Sequence, residues 1–257
     1  MTEIDKLKVG AAFDRAAAGY DAIARFQHDV CARLSTYLPT GFAPARILDG
    51  GCGTGYGAQL LQQRWPDAAI TGCDLSPEMV RQTQARGIAA ICGDLEQLPF
   101  ANASFELAWS SLALQWCQPA RAFAELRRVL APGGTLAFTS LASGTLHEIE
   151  TAFAGIDQHR RVLPFTTAAA TESALAAAGF THIRVVQERW ITRHADFHAL
   201  LATIRGIGAG HTGSDRRRSM MGKAAWQTAQ ARIEAMRGAD GLLPTTYEVL
   251  FALAEKK

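Results

Sequence analysis

From residue 45 to residue 141, short apolar runs alternate with stretches of helical spacing. Runs at 46–49, 69–73, 89–92, 105–110 and 135–141 are separated by helical patterns at 56–65, 77–86 and 119–130. Apolar runs this short, without a polar face, predict strands buried on both sides, and a helix between consecutive strands leaves them parallel. The block therefore predicts an α/β fold, a parallel sheet with helices on both faces. Local signals agree. Ser76-Pro77-Glu78 offers an N-cap hydroxyl, a proline at the first helical position and an acid in the first turn. Pro132-Gly133-Gly134 predicts a helix end and a tight turn into the next strand.

The flanks read differently. Residues 4–13 and 22–38 have helical spacing, broken by Gly19-Tyr20-Asp21 and closed by Pro39, which predicts a helical cap over residues 1–40 ahead of a core at 45–141. Beyond the core, helices are predicted at 145–156 and 171–178, and strands at 182–190 and 247–254. Between those strands lies an insertion over 192–243. It contains a glycine-rich break from Gly206 to Gly210, the basic Arg216-Arg217-Arg218 and a predicted helix at 219–237. An insertion this long in a sheet protein is expected to cover the cleft at the strand ends. The whole chain, 1–257, reads as a single domain.

The chemistry begins where the first strand breaks, at Ile47-Leu48-Asp49-Gly50-Gly51-Cys52-Gly53-Thr54-Gly55. Glycines there permit positive φ and close approach of backbone to a ligand, and the helix that follows aims unpaired N–H groups at the cleft. Gly53-Thr54-Gly55-Tyr56-Gly57-Ala58 also fits the dinucleotide pattern, so glycine spacing alone leaves a nicotinamide cofactor open. Charge separates the two. A carboxylate at Asp49 would repel a pyrophosphate, but it suits the ammonium and sulfonium of S-adenosylmethionine. Asp74, at the end of the second strand, is placed to accept from ribose hydroxyls, and Asp94, after the third, from an adenine amino group. Three acids at three successive strand ends point to a site rather than to solvated loops.

Composition narrows the partners only slightly. The net charge of +2 predicts neither nucleic-acid nor membrane-surface binding. Five cysteines without a C-x-x-C pair read as reduced thiols, no apolar run approaches the ~18 residues of a membrane span, and residues 1–10 lack a signal-peptide core. The expectation is a cytoplasmic protein. His194 and His198 have the spacing of a metal pair on a helix, yet no third ligand accompanies them, so no metal is expected.

These residues resemble the class I methyltransferases, whose Rossmann-like sheet has seven mostly parallel strands with the last one antiparallel. Further segments are similar to the malonyl-acyl-carrier-protein O-methyltransferase family of biotin biosynthesis. They are Phe13-Asp14-Arg15-Ala16-Ala17 with Tyr20-Asp21, Asp74-Leu75-Ser76-Pro77, and Gly93-Asp94-Leu95-Glu96-Gln97-Leu98-Pro99. Thr246-Tyr247-Glu248-Val249 is similar as well, and Gln115-Trp116-Cys117, Gly144-Thr145-Leu146-His147-Glu148 and Gly206-Ile207-Gly208-Ala209 are more particular to that family. Gly50 stands where relatives often carry alanine, a difference expected to be harmless.

The resemblance implies methyl transfer from S-adenosylmethionine to the free carboxylate of a malonyl thioester on acyl carrier protein. A carboxylate is ionised at neutral pH and is already a nucleophile, so the absence of an obvious Ser-His-Asp or Cys-His set is expected. A free small acid or a quinone-like acceptor shares every cofactor motif and stays open. Tyr20, Gln115 and Trp116 are the catalytic candidates, with Trp109 assigned to the core and Phe13 equally to core or cap. The expected cofactor set is Asp49, Gly51, Cys52, Gly53, Gly55, Asp74, Leu75, Met79, Asp94, Leu95 and Ser110. Arg205, Arg216, Arg217 and Arg218 are candidates for substrate or carrier contact through charge-assisted hydrogen bonds, with Lys223 and Arg232 extending the patch.

Overall fold

The cap forms first along the chain. The Asp5 carboxylate accepts from the Lys8 amide at 3.2 Å and starts α1 (Lys6–Ala16), which is followed by α2 (Tyr20–Ile23) and α3 (Arg25–Ser35). The computed structural model describes residues 5–156, 161–206 and 222–257. In the core, β1 (Arg46–Gly50), α4 (Tyr56–Arg64), β2 (Ala69–Asp74), α5 (Pro77–Ala85) and β3 (Ala89–Cys92) alternate as the pattern predicts. They are followed by β4 (Phe105–Ser111), α6 (Pro119–Val129), β5 (Leu130–Leu141), α7 (His147–Phe153) and α8 (Ala168–Ala177). The chain ends with β6 (Phe180–His194), α9 (Phe197–Gly206), α10 (Lys223–Glu234) and β7 (Leu243–Lys256).

One seven-stranded sheet runs in the order β3-β2-β1-β4-β5-β7-β6. β7 is antiparallel to both of its neighbours, and the remaining pairs are parallel. Side chains alternate across it. Ile47, Leu107 and Trp109 pack with Val30, Leu34 and Leu61 on one face, while Leu48, Ala108, Phe123 and Leu126 pack on the other. From β1 the chain winds outward through β2 to β3, then returns to place β4 on the opposite side of β1. That reversal opens a crevice at the carboxyl ends of β1 and β4, where ligands bind in open α/β sheets.

Three boundaries differ from the sequence pattern. β6 and β7 stay paired from Phe180↔Lys256 to His194↔Leu243, well beyond their apolar runs. Backbone hydrogen bonds carry a ladder on past the point where an edge strand's outward side chains turn polar. The insertion accordingly spans residues 195–242. Pro132-Gly133-Gly134 lies within β5, whose pairing with β4 shifts register between Phe105 and Leu107. Of the helix predicted at 219–237, the structure describes α10. Arg232 of that helix donates to the carbonyls of Ala152 and Ala154 at 3.2 and 2.6 Å, closing the end of α7. His194 ends β6 and His198 lies in α9, which separates the suspected metal pair. Burial lowers the pKa of His194, and its Nε2 meets the Thr192 hydroxyl at 3.0 Å. No helix among the described residues is long and apolar enough to cross a membrane.

Candidate active site

A cleft of ≈ 640 Å³, open to solvent, lies over the carboxyl ends of β1 and β4, between the sheet and the cap. Its floor is the glycine loop. The Gly51 and Cys52 amides both donate to the Cys73 carbonyl, at 2.7 and 3.2 Å, folding the loop back onto β2. Gly51 and Gly53 have φ of 72° and 54° and line the cleft with bare backbone. A Cβ on Gly51 would stand 2.2 Å from the Ala113 Cβ, so no side chain fits there. Gly55 and Cys52 turn elsewhere. A Cβ on Gly55 would meet Thr83 of α5 at 3.0 Å, and the Cys52 sulfur lies against Gly72 of β2, so both pack the loop onto the fold and neither lines the cleft.

Beside this loop sit two acids, Asp49 buried and Asp74 half-buried. Asp74 accepts from the Gly53 and Ser76 amides, each at 2.9 Å, tying the loop to the start of α5. Burial still pushes its pKa up against those two bonds. Asp49 is 2 % exposed, and its Oδ2 has no protein partner. Burial, reinforced by the nearby Asp74 charge, raises its carboxyl to about 7. Gly57 makes room for it, since a Cβ there would lie 3.0 Å from Asp49 Oδ2 and 3.2 Å from Trp109 Nε1, a second orphaned buried atom. A buried carboxylate and a half-buried one, with no countercharge at hand, fit a ligand that brings its own cation.

The wall opposite is aromatic. Tyr20, Phe13 and Trp116 form a chain of edge-to-face contacts, with centroids 6.2 and 6.1 Å apart. Enclosure, with the charges of Asp74 and Asp21 behind it, holds the Tyr20 phenol above its ordinary pKa, so its hydroxyl stays a neutral donor. Phe13 lines the cleft beside Val9 and is not plain core. Trp109 is fully buried in β4, as its strand position predicts.

The structure therefore brings Tyr20, Gly51, Gly53, Asp74, Leu75, Met79, Leu95 and Trp116 to one cleft, while Asp49 is buried at the end of β1 and does not line it. Other predicted residues fall outside it. Ser110 is wholly buried with an orphaned hydroxyl, and its neighbour Ser111 lines the cleft instead, because adjacent strand residues face opposite sides. Asp94 is engaged by Lys6 of α1 at 2.5 and 2.7 Å, leaving Gly93 and Leu95 on the wall. Gln115 donates to the Leu112 carbonyl at 2.6 Å, its other amide atom lacks a partner, and it shapes the turn rather than lining the cleft. Gly50 does have a consequence, since a Cβ there would stand 2.8 Å from the Leu95 Cδ2, so the missing methyl lets Leu95 settle into the wall. The Arg205 side chain and the whole of Arg216, Arg217 and Arg218 lie outside the described residues. None of the described insertion residues lines the cleft.

The sequence reading missed Asp14, Asp21 and Lys6. Asp14 accepts from the Ser76 hydroxyl at 2.5 Å and the Glu78 amide at 3.1 Å, capping α5 from across the cleft. Nothing in local periodicity announces a cap supplied from a distant helix.

This sheet order and cleft define a class I S-adenosylmethionine-dependent methyltransferase, and residues 48–138 match a family described as "Methyltransferase domain". Over its 257 residues the chain is 58 % identical to the malonyl-[acyl-carrier protein] O-methyltransferase of Herminiimonas arsenicoxydans, covering 100 % of this chain and 98 % of that one. The enzyme of the same name from Dechloromonas aromatica is 41 % identical, covering 99 % and 96 %. The chain belongs to the malonyl-[acyl-carrier protein] O-methyltransferase family. Among solved structures, a Haloferax volcanii methyltransferase in complex with the Trm112 activator superposes with TM-score 0.61 at 21 % identity, covering 96 % of this chain and 97 % of that one. A Haemonchus contortus N-methyltransferase holding S-adenosylhomocysteine gives TM-score 0.61 at 17 % identity, covering 96 % and 60 %.

Proposed function

We propose that this protein methylates the free carboxylate of a malonyl group carried as a thioester on acyl carrier protein, forming the methyl ester that starts pimeloyl and biotin synthesis in the cytoplasm. The observation that carries the reading is whole-length similarity to relatives of that name, 58 % identical in one case. The cleft supplies a physical ground. Asp49 would face the ammonium of S-adenosylmethionine and Asp74 its ribose, with Gly51 and Gly53 against the backbone side and Leu75, Met79 and Leu95 against the apolar side. Asp94 would reach an adenine amino group only by parting from Lys6.

When bound, the cofactor would supply a methyl carbon on a sulfonium, to which a carboxylate oxygen would bond in line as the C–S bond breaks and its electron pair goes to sulfur. The protein's part is alignment and exclusion of water. The acceptor arrives ionised, so no base is needed. Tyr20 donates to and orients the acceptor oxygen, while Trp116 and Phe13 keep that end of the cleft dry. Gln115 holds the Leu112 turn in shape.

Incubation with S-adenosylmethionine and malonyl carrier protein should add one methyl by mass spectrometry, and acetyl carrier protein, lacking the free carboxylate, should gain none. Methylation of a free small acid or a quinone-like acceptor, with none on the carrier, would overturn the assignment. Replacing Arg216, Arg217 and Arg218 together by Ala should raise KM for malonyl carrier protein about tenfold, weaken its salt dependence, and spare a malonyl thioester lacking the protein.

A further inference from the structure

Asp21 follows Tyr20 directly, yet its side chain points away from the cleft and gathers three other elements. Its Oδ1 accepts from the hydroxyl of Thr54, in the middle of the glycine loop, at 2.7 Å. Its Oδ2 is paired with Arg86 at the end of α5, which also donates to Gln59 of α4 at 2.8 Å. His28 of α3 lies 3.4 Å from Oδ1 and stacks on Tyr56, the first residue of α4, with centroids 3.9 Å apart. Burial alone would raise the Asp21 pKa, but the Thr54 bond and the Arg86 charge bring it below its usual value, so the clasp is ionised at neutral pH. Thr54 is 4 % exposed between Gly53 and Gly55, both at positive φ. Its hydroxyl therefore reports the loop's own conformation rather than a free rotamer.

From this arrangement we infer that Asp21 is a positioning residue whose carboxylate fixes the Tyr20 ring over the cleft only while the glycine loop is in its ligand-holding form. The physical reason is connectivity. Tyr20 and Asp21 share one turn of α2, so a bond that locks Asp21 to Thr54 sets the reach of Tyr20. Without that anchor Gly53 keeps its bonds to Asp74 and Thr83, but the middle of the loop no longer reaches the cap, and the cap loses its register on the floor. The inference rests on the reading of the cleft as the cofactor site.

The test is the dissociation rate of S-adenosylhomocysteine, followed by tryptophan fluorescence and checked by calorimetry. Thr54→Val, which removes only the hydroxyl, should speed release about fivefold to tenfold, and Thr54→Ser should restore the original rate. Tyr20→Ala should speed release to a similar extent. The double variant Thr54→Val with Tyr20→Ala should be no faster than either alone, because both break the same device. Asp21→Asn, losing the charge that holds Arg86, should behave as Thr54→Val does. Additive effects in the double variant, or an unchanged rate in Thr54→Val, overturn the clasp. Asp74→Ala serves as the separate control. Weakened binding there upholds the cleft while the clasp stands or falls on its own data, and unchanged binding overturns the reading of the cleft and the inference with it.

Discussion

At the residue scale the two acids behave differently, and the difference is measurable. Asp74 satisfies two loop amides and would share its remaining acceptor capacity with a ribose, so Asp74→Ala should weaken S-adenosylhomocysteine binding by about 1.5–3 kcal/mol, read by calorimetry. Asp49 has nothing to satisfy its Oδ2. Its carboxyl, raised to about 7 when folded against about 3.9 in an unfolded chain, keeps a proton in the native state that the unfolded state has already lost. The native state binds more protons in that window, so its contribution to stability falls as pH rises from about 4 to about 7 and is level above. Thermal scans without cofactor should show that decline, and Asp49→Asn should flatten it. A ligand's ammonium beside Asp49 reverses the preference. Below about pH 7, binding of S-adenosylhomocysteine should release a proton, visible as a buffer-dependent binding enthalpy that Asp49→Asn abolishes.

At the element scale the site is a matter of loops held by helices they do not belong to. The loop between β1 and α4 closes on Ala113, beyond β4, so Gly51→Ala should abolish cofactor binding through a contact at 2.2 Å and a φ of 72°. Adding Ala113→Gly should remove the clash but not the backbone cost, leaving about 1–2 kcal/mol unrecovered. Asp14 links α1 to the first turn of α5, and Asp14→Ala should cost about 1 kcal/mol of cap docking. Trypsin should then cut faster after Arg15. The cap helices were legible in the sequence as helices, from spacing and from Pro39. Their contacts were not, because Asp14 and Asp21 read as ordinary polar positions until the fold sets them against Ser76, Thr54 and Arg86.

For the whole molecule, the described insertion helices add to the core without lining the cleft. The insertion packs Phe197, Leu200, Ala229 and Ile233 into the cluster that contains Tyr247 and Phe251 of β7, away from the cleft. Ile233, 1 % exposed, should cost about 2–5 kcal/mol when replaced by alanine, while the affinity for S-adenosylhomocysteine stays the same. A loss of affinity matching the loss of stability would show that the insertion communicates with the cofactor floor. The sequence reading assigned the insertion to the cleft because long insertions in sheet enzymes commonly close it. Among the described residues its helices line no part of the cleft: α9 touches α2 of the cap, and α10 packs beside α7.

By itself, the sequence determined the order of strands and helices, the glycine loop and the acids at the strand ends, because period, proline, glycine and charge act over a few residues. It also carried the resemblance to a methyltransferase family. Tertiary structure decided which of those residues share a cavity. Strand alternation turned Ser111 rather than Ser110 toward the cleft, Lys6 took Asp94, and the cap's aspartates met partners 33 to 65 residues away in the chain. A hydrogen bond between distant segments exists only once the sheet has brought them within 3 Å, and no local pattern encodes that distance.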